Sequence, residues 1–170
     1  MSEHQFRIPL TIYYGGVQLS PGDLLTTGIM EKRPRFEWPG DSTKFYTLIM
    51  VDVSDPFSPY LYLLDINIPG NNINAATDIV QYPPPKIRIP PDSPPHRFQV
   101  LLAEQPSKMD PQEVNDFVIS RNFNVELFID IYDLTPVGKV EFEVMGQQGL
   151  PPPEIINTSL GPVYYFNQNA

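Results

Sequence analysis

Two positions in this chain place polar side chains at the ends of apolar runs. Asp52 closes the run Thr47-Leu-Ile-Met-Val-Asp52, and His96 opens His96-Arg97-Phe98. Each run reads as a strand with a polar group at one end. If the two ends meet at the mouth of a β-sandwich, they form a small anion pocket, because an imidazole protonated near neutrality donates a charge-assisted hydrogen bond. Each residue also has a plainer role. Asp52 precedes Ser54-Asp55-Pro56 and can simply cap local turn amides. His96 can be a solvated edge residue, and Tyr62 a core aromatic whose hydroxyl reaches the rim.

Other chemistry is sparsely represented. The chain has two histidines and no cysteine, too few for a zinc site or a thiol nucleophile. A serine–histidine–carboxylate arrangement has only His96 to draw on, and no Gly-x-Ser-x-Gly elbow occurs. Phosphate-loop and dinucleotide fingerprints are absent as well. The expectation is therefore a protein without catalytic residues, metal or cofactor. With 20 acidic against 11 basic residues the formal charge is −9, which repels phosphate backbones, so nucleic acid is not an expected partner. The start of the chain lacks an apolar signal region and no run approaches a membrane span, which points to the cytoplasm; on that ground the sequon Asn157-Thr158-Ser159 is discounted.

The elements that must hold these residues are mostly strands. The length, 170 residues, suits one domain, and 41% apolar content supports a packed core. The 21 prolines disfavour long helices, since each removes an amide donor and clashes with the preceding turn. Strands are expected at Ile8 to Tyr14, Phe45 to Asp52, Tyr60 to Ile68, Arg97 to Glu104 and Lys139 to Met145. The second is apolar on both faces and therefore central. The last alternates Val140, Phe142 and Val144 against Lys139, Glu141 and Glu143. Asp110-Pro111-Gln112-Glu113 carries the cap, first-turn proline and acidic first turn of a short helix running toward Ile119. Asn124 caps a second, in which Leu127, Phe128, Ile131 and Leu134 recur at helical spacing. The stretch from Pro83 to Pro95 reads as a stiff loop against the sheet or as a polyproline ligand. Residues 1–146 are expected to form the β-sandwich domain, and 147–170 a proline-rich tail, loosely attached or docked.

In order and spacing these blocks resemble the phosphatidylethanolamine-binding protein family. In that family a strand ends in Asp-Pro-Asp-Ala-Pro-Ser, and the next reads roughly Trp-x-His-x-Leu-Val-x-Asn-Ile-Pro-Gly. A Tyr- and Pro-rich loop leads to His-Arg-Tyr, and Asn-Phe with Phe-x-x-x-Tyr-x-Leu marks a late helix. Here the corresponding residues are Asp52-Val-Ser-Asp-Pro56, Tyr60 through Asn67-Ile-Pro69-Gly70, Tyr82-Pro-Pro-Pro85 with Pro90-Pro91, His96-Arg97-Phe98, and Asn122-Phe123 with Phe128 and Tyr132. The likeness runs from about residue 8 to 145 and implies a mainly β, antiparallel sandwich with a few short helices. It also implies a ligand-binding set: Asp52 and His96 on the family's Asp and His, with Tyr82, Pro90, Pro91 and Phe98 around them.

The departures fall on that set. The position of the family's other histidine is Tyr62, and the Asp-Pro-Asp motif has become Asp52-Val53-Ser54. A phenol offers one neutral donor where an imidazole offers a charge-assisted one worth about 1.5–3 kcal/mol, so anion binding should fall at least tenfold. The resemblance thus implies a regulatory binding protein acting through protein partners, with a degenerate anion pocket. Retained binding of a small anion or phospholipid headgroup is the alternative, and a hydrolase with His96 as base is remote.

Overall fold

Strands that are apolar on both faces need cover on both sides, and this chain supplies it with a second sheet and a pair of helices. The computed structural model describes residues 6–85, 88–147 and 155–156. A seven-stranded sheet is ordered β10-β3-β9-β8-β5-β6-β7, from β3 (Leu24–Thr26), β5 (Phe45–Asp52), β6 (Tyr60–Pro69), β7 (Thr77–Val80), β8 (His96–Gln105), β9 (Thr135–Met145) and β10 (Ile155–Ile156). A three-stranded sheet, β2-β1-β4, is built from β1 (Thr11–Tyr14), β2 (Val17–Gln18) and β4 (Arg35–Glu37). Neighbours pair antiparallel except β3 and β9, which run parallel.

Alternation along the central strands sorts their side chains between two cores. Tyr46, Leu48 and Met50 of β5 and Phe98, Val100 and Leu102 of β8 meet Ile12, Tyr14 and Phe36 of the small sheet and Trp38 just beyond it. Ile49, Leu101 and Ala103 point the other way, onto α1 (Pro111–Phe117) and α2 (Val125–Ile131) through Val114, Phe128 and Ile129. Both helices start where their caps predict. The Asp110 carboxylate accepts from Gln112 N at 2.8 Å and the Asn124 amide oxygen from Leu127 N at 3.0 Å. They are shorter than the spacing predicts: α1 stops at Phe117, and α2 ends at Ile131 with Asp133 beyond it at φ +52°.

Strand bounds also differ from expectation. β1 begins at Thr11 rather than Ile8, although Ile8 N still donates to Val137 O at 2.8 Å. β9 starts four residues early and takes in Pro136, which sits at a register shift opposite Ala103. β2, β3, β4, β7 and β10 have at most four residues each, too short to display a period. Of the tail expected over 147–170, Gln147 and β10 are described; the rest lies outside the described residues.

One buried polar cluster fixes the turn of β6. Asn67 adopts φ +56°, which flips the chain so that Ile66 packs on the helices and Ile68 in the sandwich. Its side chain is fully used: Nδ2 donates to Met109 O at 2.8 Å, and Oδ1 accepts from Met109 N and Gln105 Nε2 at 2.8 and 2.9 Å. Gln105 Oε1 in turn accepts from Thr47 Oγ1 and from Asn67 N, each at 2.8 Å.

Candidate functional site

Strand register brings the two sequence-selected residues together. Asp52 pairs with Phe98 on one side and with Tyr60 on the other, so these three side chains share the sandwich-facing side of the sheet at its open end. His96 lies two residues before Phe98 and therefore shares that face. The result is a 2.6 Å contact between His96 Nδ1 and Asp52 Oδ2. With the carboxylate as acceptor, Nδ1 carries a proton and donates, and no described hydrogen bond occupies Nε2. Asp52 Oδ1 also accepts from Ser54 N at 3.0 Å, so the turn-capping role and the pocket role coexist in one side chain. Asp52 is 4% exposed.

A cavity of about 240 Å3 opens here, lined by Asp52, Ser54, Asp55, Ser58, Tyr60, Arg88 and His96. Arg88 is the residue that sequence reasoning passed over, reading it only as part of a polyproline segment. Its guanidinium stacks 3.6 Å from the Tyr60 ring centre and lies 3.9 Å from Asp52 Oδ2. The signal that would have found it is a lost histidine in a site with a buried carboxylate, which calls for another cation from the adjoining loop.

The remaining predicted residues do not line this cavity. Tyr62 is wholly buried, one residue pair along the same face, its ring 4.9 Å from both Tyr60 and Phe98. Its hydroxyl meets no partner at ordinary hydrogen-bond geometry among the described residues; the Arg88 guanidinium acts on it only as a long, weak donor. Burial pushes the Tyr62 phenol up to about 12, an effect that Arg88 moderates and the Asp52 charge reinforces, so the hydroxyl lies within reach of both fields. Phe98 is a core residue, stacked on Phe142 at 5.6 Å. Tyr82 turns toward the small sheet: its hydroxyl donates to Met30 O at 2.6 Å, which leaves Tyr14 as donor across the 3.0 Å contact between the two phenols. Burial raises the pKa of both these tyrosines. Pro90 and Pro91 press their backbone on Gly146, at the end of β9, where a Cβ would meet Pro90 O at 2.3 Å.

The Asp52–His96 pair supplies two parts of a hydrolytic triad, but the third is not in place. Ser54 Oγ accepts from Arg97 N at 2.6 Å, and no described hydrogen bond joins Ser58 to His96. Among the described residues no group of three or more His, Cys, Asp or Glu could hold a metal ion, and no helix is long and apolar enough to cross a membrane.

Comparison with known proteins places this geometry. The chain is 31% identical over 151 residues to the protein FLOWERING LOCUS T of Arabidopsis thaliana, covering 84% of this chain and 82% of that one. The chain belongs to the phosphatidylethanolamine-binding protein family. It is also 30% identical over 119 residues to a 26 kDa secreted antigen of Toxocara canis; the match takes in 66% of this chain and spans 44% of that protein's length. Among solved structures, a carboxypeptidase Y inhibitor bound to its cognate proteinase superposes with a TM-score of 0.68 at 18% identity, over 82% of this chain and 84% of the other. A phosphatidylethanolamine-binding protein from Plasmodium vivax gives 0.59 at 14%, over 82% and 86%. No family model matches the sequence. By name these proteins are a flowering-locus protein, a secreted antigen, a carboxypeptidase Y inhibitor and a phosphatidylethanolamine-binding protein, and none is named as an enzyme.

Proposed function

We propose that this protein is a non-enzymatic, cytoplasmic regulator that acts by binding other proteins, and that its Asp52–His96 pocket is a weakened relative of the family's anion site. The observation that carries this reading is the pocket's own charge balance. Asp52 and Asp55 contribute two negative charges, Arg88 one positive, and His96 a second only when protonated. The lining therefore sums to zero or −1, and a phosphate dianion entering it meets no net attraction. His96 Nδ1 is already committed to Asp52 at 2.6 Å, which leaves Nε2 as the imidazole's donor to an anion, and only when the ring is protonated.

A second reading, retained binding of a small anion or phospholipid headgroup, is favoured by Arg88. A permanent cation held on the Tyr60 ring stands near the place where the family's second histidine would act. Isothermal titration with phosphoethanolamine, and separately with inorganic phosphate, decides between the two. The proposal expects dissociation constants in the millimolar range or no saturation. Saturation at low micromolar concentration that is lost in Asp52→Ala, Arg88→Ala or His96→Ala establishes the second reading and refutes the first.

A further inference from the structure

Large apolar side chains left in water are concentrated on one part of this molecule. Four are exposed among the described residues: Phe57 at 91%, Ile119 at 90%, Leu127 at 47% and Ile131 at 53%. Three of them fall between residues 119 and 131, on α2 and the turn before it. Leu127 and Ile131 are four residues apart, so they form one ridge along the outside of α2 while Phe128 and Ile129 face the core.

A groove lies at each end of that ridge. At the N-terminal end a depression of about 420 Å3 is lined by Val53, Pro56, Phe57, Pro59, Leu101 and Val125, with Glu126 on its rim. At the C-terminal end one of about 370 Å3 is lined by Met109, Ile131 and Tyr132 together with Asp110, Glu113 and Asp133. An amphipathic helix laid along the ridge would seat one anchor side chain in the depression at each end.

Charge selects the occupant. Asp110, Glu113, Asp116, Glu126, Asp130 and Asp133 are all exposed on this side, and no ion pair neutralises any of them among the described residues. Of the two nearby cations, Arg121 is committed inward, donating to Leu61 O at 3.0 Å and Gln81 O at 3.1 Å. Lys108 lines the second groove with Asp110, Glu113 and Asp133 and lies 6.0 Å from the Phe45 ring, one cation against six carboxylates on this side. An apolar ridge ringed by six carboxylates repels anionic lipid and nucleic acid, and disfavours a second copy of a chain carrying −9.

We propose that the outer face of α2, between its two grooves, receives a cationic amphipathic helix of a partner protein. This rests on the reading that the chain acts through protein partners and adds the surface and the partner's chemistry.

The test uses the full chain and a fluorescein-labelled 20-residue peptide of leucine and lysine, patterned so that the leucines share one helical face. A scrambled peptide of the same composition is the control. Fluorescence anisotropy is expected to show saturable binding of the patterned peptide, at least tenfold tighter than of the scrambled one and weakened by added salt. Leu127→Ser/Ile131→Ser and, separately, Glu126→Lys/Asp130→Lys should each reduce affinity tenfold or more; all four residues are exposed, so the fold is expected to survive. Glu37→Gln, which removes an exposed carboxylate on the small sheet, should bind as the wild type does. Equal binding of both peptides, or wild-type affinity in both double variants, overturns the proposal. Concentration-dependent dimerisation that is lost in Leu127→Ser/Ile131→Ser overturns it too, as does recruitment to anionic vesicles through these residues. If the peptide fails to bind while phosphoethanolamine also fails, only this surface is wrong; if phosphoethanolamine saturates at low micromolar concentration, the reading beneath it has failed.

Discussion

Removing one oxygen atom from Tyr62 should make the protein more stable. The Tyr62 ring is fully buried between Tyr60 and Phe98, and its hydroxyl has no well-formed hydrogen bond among the described residues, only a long, weak approach of the Arg88 guanidinium. A lone buried hydroxyl costs about 1–3 kcal/mol relative to its hydrated state in the unfolded chain. The Arg88 guanidinium recovers part of this, first as a weak donor and then through its charge, so the lower half of the range applies. Tyr62→Phe keeps the ring and its stacking and should therefore gain about 1–1.5 kcal/mol, or roughly 2–6 °C in Tm for a chain of this size. Tyr46→Phe is the matched control. That ring is equally buried, at 1% exposure, but its hydroxyl accepts from Asp41 N at 3.0 Å. Deleting it orphans the amide and should lose about 1 kcal/mol. Urea and thermal unfolding of the two variants beside the wild type should move in opposite directions. If Tyr62→Phe loses as much as Tyr46→Phe, the hydroxyl is satisfied in solution and the argument about a mismatched phenol beneath the pocket is wrong.

Three further outcomes are expected. Burial, followed by the neighbouring Asp78 carboxylate, which accepts the proton when Asp65 holds it, raises Asp65 to about 7 against the opposing pull of Arg33. The folded state then holds this proton more tightly than the unfolded chain does. Its contribution is complete below pH ~4 and is lost as pH rises through about 7, with a slope of at most about 1.4 kcal/mol per pH unit. Urea titrations across pH 4.5–7.5 should show the wild type losing stability relative to Asp65→Asn, and parallel curves would refute this. Asn67→Ala removes three buried hydrogen bonds and leaves alanine at φ +56°, so chemical denaturation should report a loss of about 3–5 kcal/mol. Gly146→Ala drives a Cβ to 2.3 Å from Pro90 O, displacing the loop that carries Arg88, and should cost about 1–3 kcal/mol in thermal unfolding; an unchanged Tm would show that the loop is not held there.

Much of this architecture is written locally in the chain. The apolar runs of β5, β6 and β8 are readable because burial on both faces leaves no polar position within them. The two helix starts are readable because Asp110 and Asn124 each satisfy an amide a few residues ahead. The short strands β2, β3, β4, β7 and β10 are not, since two to four residues carry no period and their pairing depends on partners far along the chain. Their places at strand ends made Asp52 and His96 stand out, and the resemblance, counted back from Pro69-Gly70, put Tyr62 where the family has a histidine.

What the sequence determined on its own, then, was the inventory: strands, caps, a carboxylate and an imidazole at strand ends, and a phenol where a cation-forming ring belongs. Tertiary structure decided the meetings. It set Asp52 and His96 at 2.6 Å through the register of β5 against β8, brought Arg88 onto Tyr60 from the proline-rich loop, and turned Tyr82 away to Met30. It also left Leu127 and Ile131 facing water among unpaired carboxylates. The physical reason is that hydrophobic periodicity and capping act over a few residues, whereas pairing register and the direction of a loop side chain come from contacts 28 to 52 residues apart, which one-dimensional pattern does not encode.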